Sequence, residues 1–214
     1  MIAENTNRIK ATIPSDVTLV AVSKTKPNSD IMLAYNAGQR VFGENKVQDM
    51  AAKAEVLPKD IQWHMIGHLQ TNKVKYIASF VSLIHGVDSL KLLKEINKRA
   101  AQNNRIIDCL LQIHIAQEET KFGLDLIEAK SVLNAAMELK SIRILGLMGM
   151  ASNTTNEVQV KKEFSGLKKF ALELQSSNEA MTVVSMGMSN DYLLAIELGS
   201  TMIRVGSAIF GTRN

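Results

Sequence analysis

Eight times along the chain a short, nearly continuous apolar run gives way to a longer stretch whose apolar residues recur at helical spacing. Parallel strands are buried on both faces and need long crossovers, so this alternation predicts an α/β architecture with a parallel sheet. The apolar runs are 18–24 (ending in Lys24), 41–44, 61–66, 81–87, 106–115, 142–148, 181–186 and 202–205. Helices are predicted over 29–37, 46–56, from Asn72, over 89–103 with Asp88 as cap, over 125–139, and from Asp191. The clearest helix carries Val160, Phe164, Leu167, Ala171 and Leu174 at four- and three-residue steps, and Thr154-Thr155-Asn156-Glu157 reads as its capping box. A doubly wound open sheet uses the same alternation, but a count of eight units without a long linker favours a (β/α)8 barrel. No domain boundary interrupts the pattern, so 1–214 is expected to be a single domain.

Composition narrows the class. The chain has 214 residues, close to the lower limit of roughly 200 for such a barrel. Hydrophobic types make up 46% and charged types 21%, which excludes a disordered or low-complexity chain. Lys and Arg exceed Asp and Glu by 25 to 21, a scattered excess of +4 that predicts no nucleic-acid partner. Cys109 is the one cysteine, so no intramolecular disulfide can form, which suits a reducing compartment. The first residues lack the apolar core of a signal peptide, and no apolar run could span a membrane. The expectation is a soluble cytoplasmic protein with no membrane partner.

In a barrel the chemistry sits at the C-terminal strand ends. The seventh run ends in Gly187-Met188-Ser189-Asn190-Asp191, the eighth in Arg204-Val205-Gly206-Ser207-Ala208. Small residues there let backbone N–H groups approach an anion, and both turns at adjacent strand ends predict a phosphate site. Lys24 follows Leu19-Val20-Ala21-Val22 directly. Poor solvation and the nearby cations Lys26 and Arg204 favour a neutral, nucleophilic amine. Closure puts the first strand beside the eighth, so Lys24 faces the phosphate site. An imine-forming lysine beside a phosphate cup is the arrangement that pyridoxal 5′-phosphate needs. A phosphosugar enzyme with Lys24 as an aldolase-like lysine is a further reading of the same residues.

Other patterns fail on chemistry. Gly38-x4-Gly43 is followed by Glu44 where a P-loop needs lysine, and Gly187 to Asp191 lacks the last glycine of a nucleophile elbow. On an extended strand His64 and His68 lie about 13 Å apart, too far to share a metal. His85 and His114 fall within apolar strands and read as satisfied core residues. Lys161-Lys162 and Lys168-Lys169 read as a solvated helix face.

Five blocks together carry a resemblance. They are Ala21-Val22-Ser23-Lys24-Thr25-Lys26-Pro27, Phe42-Gly43-Glu44-Asn45-x-x-Gln48, Trp63-His64-x-Ile66-Gly67-x-Leu69-Gln70-x-Asn72-Lys73, Ser185-Met186-Gly187-Met188-Ser189-x-Asp191 and Arg204-Val205-Gly206-x-Ala208-Ile209-Phe210-Gly211. In this order they resemble the pyridoxal phosphate homeostasis proteins, the YggS/PROSC family, from the first strand to the C-terminus. The resemblance implies a barrel like the N-terminal domain of alanine racemase, with pyridoxal phosphate covalently bound to Lys24 as an imine. It implies a phosphate held by Ser189, Gly206 and Ser207, Arg204 facing the pyridine nitrogen, and Asn45 near the ring. Ser207 stands where the family often has threonine, which keeps the hydroxyl. Gly149 is not assigned a contact.

An arginine at the pyridine nitrogen keeps its proton, which makes the ring a poor electron sink and disfavours most pyridoxal chemistry other than racemisation. A two-base racemase needs a second acid/base, supplied in racemases by a tyrosine from a second domain of the partner subunit. Tyr35, Tyr76 and Tyr192 all fall in predicted helices, and four residues follow Phe210. The expectation is therefore a monomeric, non-catalytic carrier of pyridoxal phosphate that stores, buffers and delivers it to apo-enzymes. The alternative is a weak pyridoxal phosphate-dependent amino-acid racemase.

Overall fold

The computed structural model describes residues 1–118 and 120–212. Eight parallel strands close on themselves in sequence order: β1 (Thr18–Val22), β2 (Val41–Glu44), β3 (Gln62–Met65), β4 (Leu83–Val87), β5 (Ile107–Ile113), β6 (Ile142–Gly149), β7 (Val183–Ser185) and β8 (Met202–Val205). The expected (β/α)8 barrel is what forms. β1 pairs with β8 from Thr18↔Met202 to Ala21↔Val205, the closure on which the placement of Lys24 depended.

Why the runs are continuously apolar is visible in β1. Leu19 and Ala21 belong to the large core beneath the helices, whereas Val20 joins Leu83, Leu110, Met148 and Met202 in a separate small cluster. Side chains alternate along a strand, so that second cluster is the barrel interior, and both faces of β1 lie out of water. Gly43 sits in the same layer because a Cβ there would come within 2.9 Å of Val20 Cγ1 and 3.0 Å of Ile66 Cδ1. In β6 the alternation changes phase. Ile142 and Ile144 face the helices, and so does Leu147, an odd-numbered position. The register slips between Cys109↔Ile144 and Leu110↔Gly146, and Gly146 takes φ +155° with a would-be Cβ 1.8 Å from the Val183 carbonyl oxygen. A bulge at this glycine re-aims the rest of the strand.

The crossovers are α2 (Asn28–Asn36), α3 (Val47–Val56), a 3-10 helix (Thr71–Tyr76), α4 (Leu90–Gln102), α5 (Leu126–Ala136), α6 (Glu157–Ser177) and α7 (Tyr192–Glu197), with α8 (Ser207–Phe210) after β8. α1 (Ile2–Thr12) precedes the barrel, an element to which the sequence reading assigned nothing. Its Thr6 and Ile9 are buried, and Asn5 Nδ2 donates to the Ile209 carbonyl at 3.1 Å, docking α1 on α8. The stretch from Asn72 is a 3-10 helix rather than an α-helix, consistent with its short apolar face. Two caps also differ from expectation. Ser89, not Asp88, accepts the Leu92 N–H, since it is the residue directly before α4, and Asp88 pairs with His68. Asn156 caps α6 by accepting the Gln159 N–H, while Thr154 Oγ1 accepts the Asn156 N–H. No helix among the described residues is long and apolar enough to cross a membrane.

Candidate functional site at the C-terminal mouth

Lys24 stands in the turn that leaves β1, half-buried. The turn is tight: Lys26 N–H donates to the Ser23 carbonyl at 3.1 Å, and Thr25 adopts φ +64°, a left-handed conformation uncommon outside glycine. Lys26 points its ammonium to the Phe210 carbonyl at 3.1 Å. Lys26 thereby ties the β1 exit to α8.

Across the β1–β8 seam, the β8–α8 turn converges on Ser189. Its hydroxyl oxygen accepts from the Gly206 N–H at 3.1 Å and from the Ala208 N–H at 3.4 Å. Two backbone donors that converge on one oxygen, here that of Ser189, form the kind of cup that also suits an anionic oxygen. Gly206 lies against β1, where a Cβ would meet Val22 Cβ at 3.3 Å. Ser207, the first residue of α8, is exposed at the rim. Gly187, just upstream, takes φ +94°, and a Cβ there would lie 2.6 Å from Ala195 Cβ and 3.1 Å from Tyr192 Cα. Gly187→Ala is expected to lower the unfolding free energy by roughly 2–4 kcal/mol, combining backbone strain with overpacking. Urea denaturation measures it; a change within experimental error would mean that the turn relaxes freely.

Arg204 lies inside the barrel wall, on the same strand parity as Met202, and is buried. Nη1 donates to the Ser185 carbonyl at 2.8 Å and to Ser185 Oγ at 2.6 Å, and Nη2 donates to the Gly149 carbonyl at 3.0 Å. Burial pulls its pKa down to about 10, and Asp191 opposes the fall, so it remains a cation at neutral pH. The contacts continue inward: Ser185 Oγ lies 3.1 Å from His85 Nδ1, and His85 Nε2 lies 3.0 Å from His64 Nδ1. One ordering of protons satisfies every member. Arginine only donates, Ser185 accepts and passes its hydroxyl proton toward His85 Nδ1, and His85 Nε2–H donates to His64. Both imidazoles are then neutral. Burial pushes His64 down to about 3, and burial first, with the positive charge of Arg204 also opposing a proton, holds His85 well below its ordinary value.

Strand order thus sets Lys24 after β1, Ser189 after β7, and Arg204, Gly206 and Ser207 on or directly after β8, at neighbouring strand ends of the mouth. Asn45 follows β2, next to β1, and is half-buried; a Cβ at Gly67 would lie 2.4 Å from its carbonyl oxygen, so the neighbouring strand end packs directly on its backbone. A cavity of about 740 Å³ opens between the loops after β6 and β7. Of the six expected site residues only Ser189 lines it, together with Thr154, Asp191 and Tyr192. Tyr192 thereby lines the same cavity as Ser189, whereas Tyr35 donates its hydroxyl to Asp60 and Tyr76 is exposed.

The sequence identifies His85 as a satisfied core residue without naming its partner, and sets His64 and His68 aside as a metal pair. His85 and His64 join the chain behind Arg204. A signal was present: His85 lies two residues after Leu83 and Arg204 two after Met202, so both share the interior parity. His68 pairs with Asp88 at 3.0 Å and stacks on Phe122 at 3.9 Å between centroids, and His114 meets the Glu118 carbonyl at 2.9 Å. Among the described residues no cluster of three or more His, Cys, Asp or Glu could hold a metal ion.

The family model described as alanine racemase, N-terminal domain, matches residues 1–214. A pyridoxal phosphate homeostasis protein of Aquifex aeolicus is 42% identical over 197 residues, 91% of this chain and 86% of that protein. PipY of Synechococcus elongatus, solved without pyridoxal phosphate, superposes with a TM-score of 0.93 at 37% identity, covering 99% of this chain and 100% of that one. The same protein with pyridoxal phosphate bound gives a TM-score of 0.91 at 36% identity, with the same coverage. Alanine racemase from E. faecalis shares the fold at a TM-score of 0.74 and 16% identity, 99% of this chain lying over 58% of that enzyme.

Proposed function

The chain belongs to the family of pyridoxal phosphate homeostasis proteins, and on that premise we propose that it binds pyridoxal 5′-phosphate at the barrel mouth and serves in the cofactor's intracellular homeostasis. The observation that supports this reading is the pairing of β1 with β8, which sets the strand end that carries Lys24 beside the one that carries a buried guanidinium and a turn whose N–H groups converge on Ser189. These donors fit the group. The backbone N–H groups of Gly206 and Ala208, with the hydroxyls of Ser189 and Ser207, suit a phosphate; Arg204 suits a pyridine nitrogen; Asn45 borders the ring. When bound, the cofactor would supply an aldehyde able to condense with the Lys24 amine with loss of one water; water would return the free aldehyde, and an incoming amine would free the lysine by taking its place. That reversibility is what storage and release require.

Arg204 keeps its own proton, pinned as it is by three acceptors, which supports carriage over catalysis. On this reading the protein is a monomeric, cytoplasmic carrier, a single binding barrel that limits the free aldehyde and hands it to apo-enzymes. The visible spectrum before and after borohydride, for wild type and Lys24→Ala, tests it. Wild type is expected to be yellow and to yield one reduced adduct on the Lys24 peptide, and Lys24→Ala to lose that adduct. Persistence of the adduct in Lys24→Ala transfers the attachment to Lys26. A colourless protein that cannot be reconstituted with pyridoxal phosphate overturns the proposal.

A further inference from the structure

We propose that Glu44 and Lys53 are positioning residues for Lys24: a buried ion pair on the helix side of the barrel that grips the preceding residue and sets the turn from which the lysine is presented. This rests on the reading of Lys24 given above. Glu44 ends β2 on the same parity as Phe42, facing the helices, and its side chain is completely buried. Lys53 continues the buried stripe of α3 after Val47 and Met50, where an apolar residue is the ordinary choice. Its ammonium lies 2.6 Å from Glu44 Oε1.

Both partners close on Ser23. The Ser23 hydroxyl donates to Glu44 Oε1 at 2.6 Å, and Lys53 Nζ donates to the Ser23 carbonyl at 2.9 Å. The Ser23 N–H is held by the Gly43 carbonyl at 3.0 Å. Every polar group of residue 23 is thus fixed by β2 and α3, and the carbonyl that Lys53 grips also accepts the Lys26 N–H that closes the turn. Strand alternation, carried one residue past Ser23, sends Lys24 to the barrel side. The left-handed Thr25 costs free energy unless its surroundings hold it, and the clamp on Ser23 is such a surrounding.

Stability alone is a poor reason for the pair. A buried ion pair contributes no more to stability than a well-packed apolar pair of its volume. Nor is this one optimised as an isolated pair, because Glu44 Oε2 is buried without a hydrogen-bond partner among the described residues. What the pair does, and an apolar pair could not, is hold a hydroxyl and a carbonyl of the residue bonded to Lys24.

The test is a double-mutant cycle on the full chain. Glu44→Gln, Lys53→Met and the neutral double variant are each made with Lys24 present and in Lys24→Ala. Equilibrium binding of pyridoxal phosphate is measured by absorbance, with thermal unfolding as the check on folding. The double variant is expected to weaken binding about tenfold when Lys24 is present and less than about twofold in Lys24→Ala, the coupling a direct positioning role produces. Equal losses in both backgrounds mean a merely structural role, and no loss in either means none; each overturns the proposal. Where a single variant leaves one buried charge unpaired and fails to fold, the neutral double decides. If Lys24→Ala alone binds as tightly as wild type, what fails is the assignment of Lys24, and this proposal falls with it.

Discussion

Lowering the pH from 7 to 4.5 is expected to reduce the free energy of unfolding by on the order of 5 kcal/mol, with most of the loss coming from two histidines. His64 and His85 lie buried against each other in the barrel interior, and both are held neutral. In the unfolded chain each takes up a proton near its ordinary pKa of 6.5. Below that pH the unfolded state therefore binds more protons than the folded state, and stability falls as the pH falls. The contribution is complete above 6.5, and each imidazole that stays neutral removes about 1.4 kcal/mol per pH unit below it. Glu118, which the Asn153 N–H and other donors hold down at about 2, begins to lose its contribution only below its ordinary 4.5, so the window between is histidine's. Urea denaturation at pH 7, 6, 5 and 4.5 measures the slope. His85→Gln is expected to halve it, and a flat profile between 7 and 5 would show that the interior admits the charge.

Arg204→Met is expected to destabilise the fold by roughly 2–5 kcal/mol, because it leaves two buried carbonyls and a hydroxyl without their donor. The groups are the Ser185 carbonyl, the Ser185 hydroxyl and the Gly149 carbonyl, so one side chain from β8 joins the ends of β7 and β6. Relief from burying the cation offsets part of this, which keeps the loss below the sum of three charged hydrogen bonds. Arg204→Lys is expected to recover little, since a single ammonium cannot reproduce the planar fork. The two predictions are coupled. Arg204 is one of the charges that holds His85 down, so its removal eases protonation of His85 and makes the acid slope shallower. Chemical denaturation of Arg204→Met at pH 7 and pH 5 reads both effects. Wild-type stability with an unchanged slope would remove Arg204 from its place at the head of the chain.

The barrel was legible because its cause is periodic. Most strand positions are buried on both faces, so the strands read as largely apolar runs, and most crossovers are α-helices with a buried face. α1 escaped because its register is short and interrupted, with Thr6 and Ile9 as its buried anchors. The cap is Ser89 rather than Asp88 because α4 begins at Leu90, one residue later than the apolar pattern suggests. Lys24, Ser189, Arg204, Gly206 and Ser207 could be proposed together because a barrel places all strand ends at one mouth, so position along each strand substitutes for position in space. Asn45 came from the resemblance, and the structure adds the packing of Gly67 on its backbone.

By itself the order of residues determined the number of units, the closure of β1 on β8, and the presence of an amine, a guanidinium and small turns at neighbouring strand ends. Those features depend on local pattern and on chain order, both of which are written in the sequence. Only the tertiary structure decided that Ser185, His85 and His64 stand behind Arg204, and that Glu44 and Lys53 hold Ser23. His85 and Ser185 are 100 residues apart, and Lys53 reaches Ser23 across 30. A hydrogen bond is satisfied within about 3 Å and carries no periodic trace along the chain, so the partners become known only once the barrel has brought their strands together.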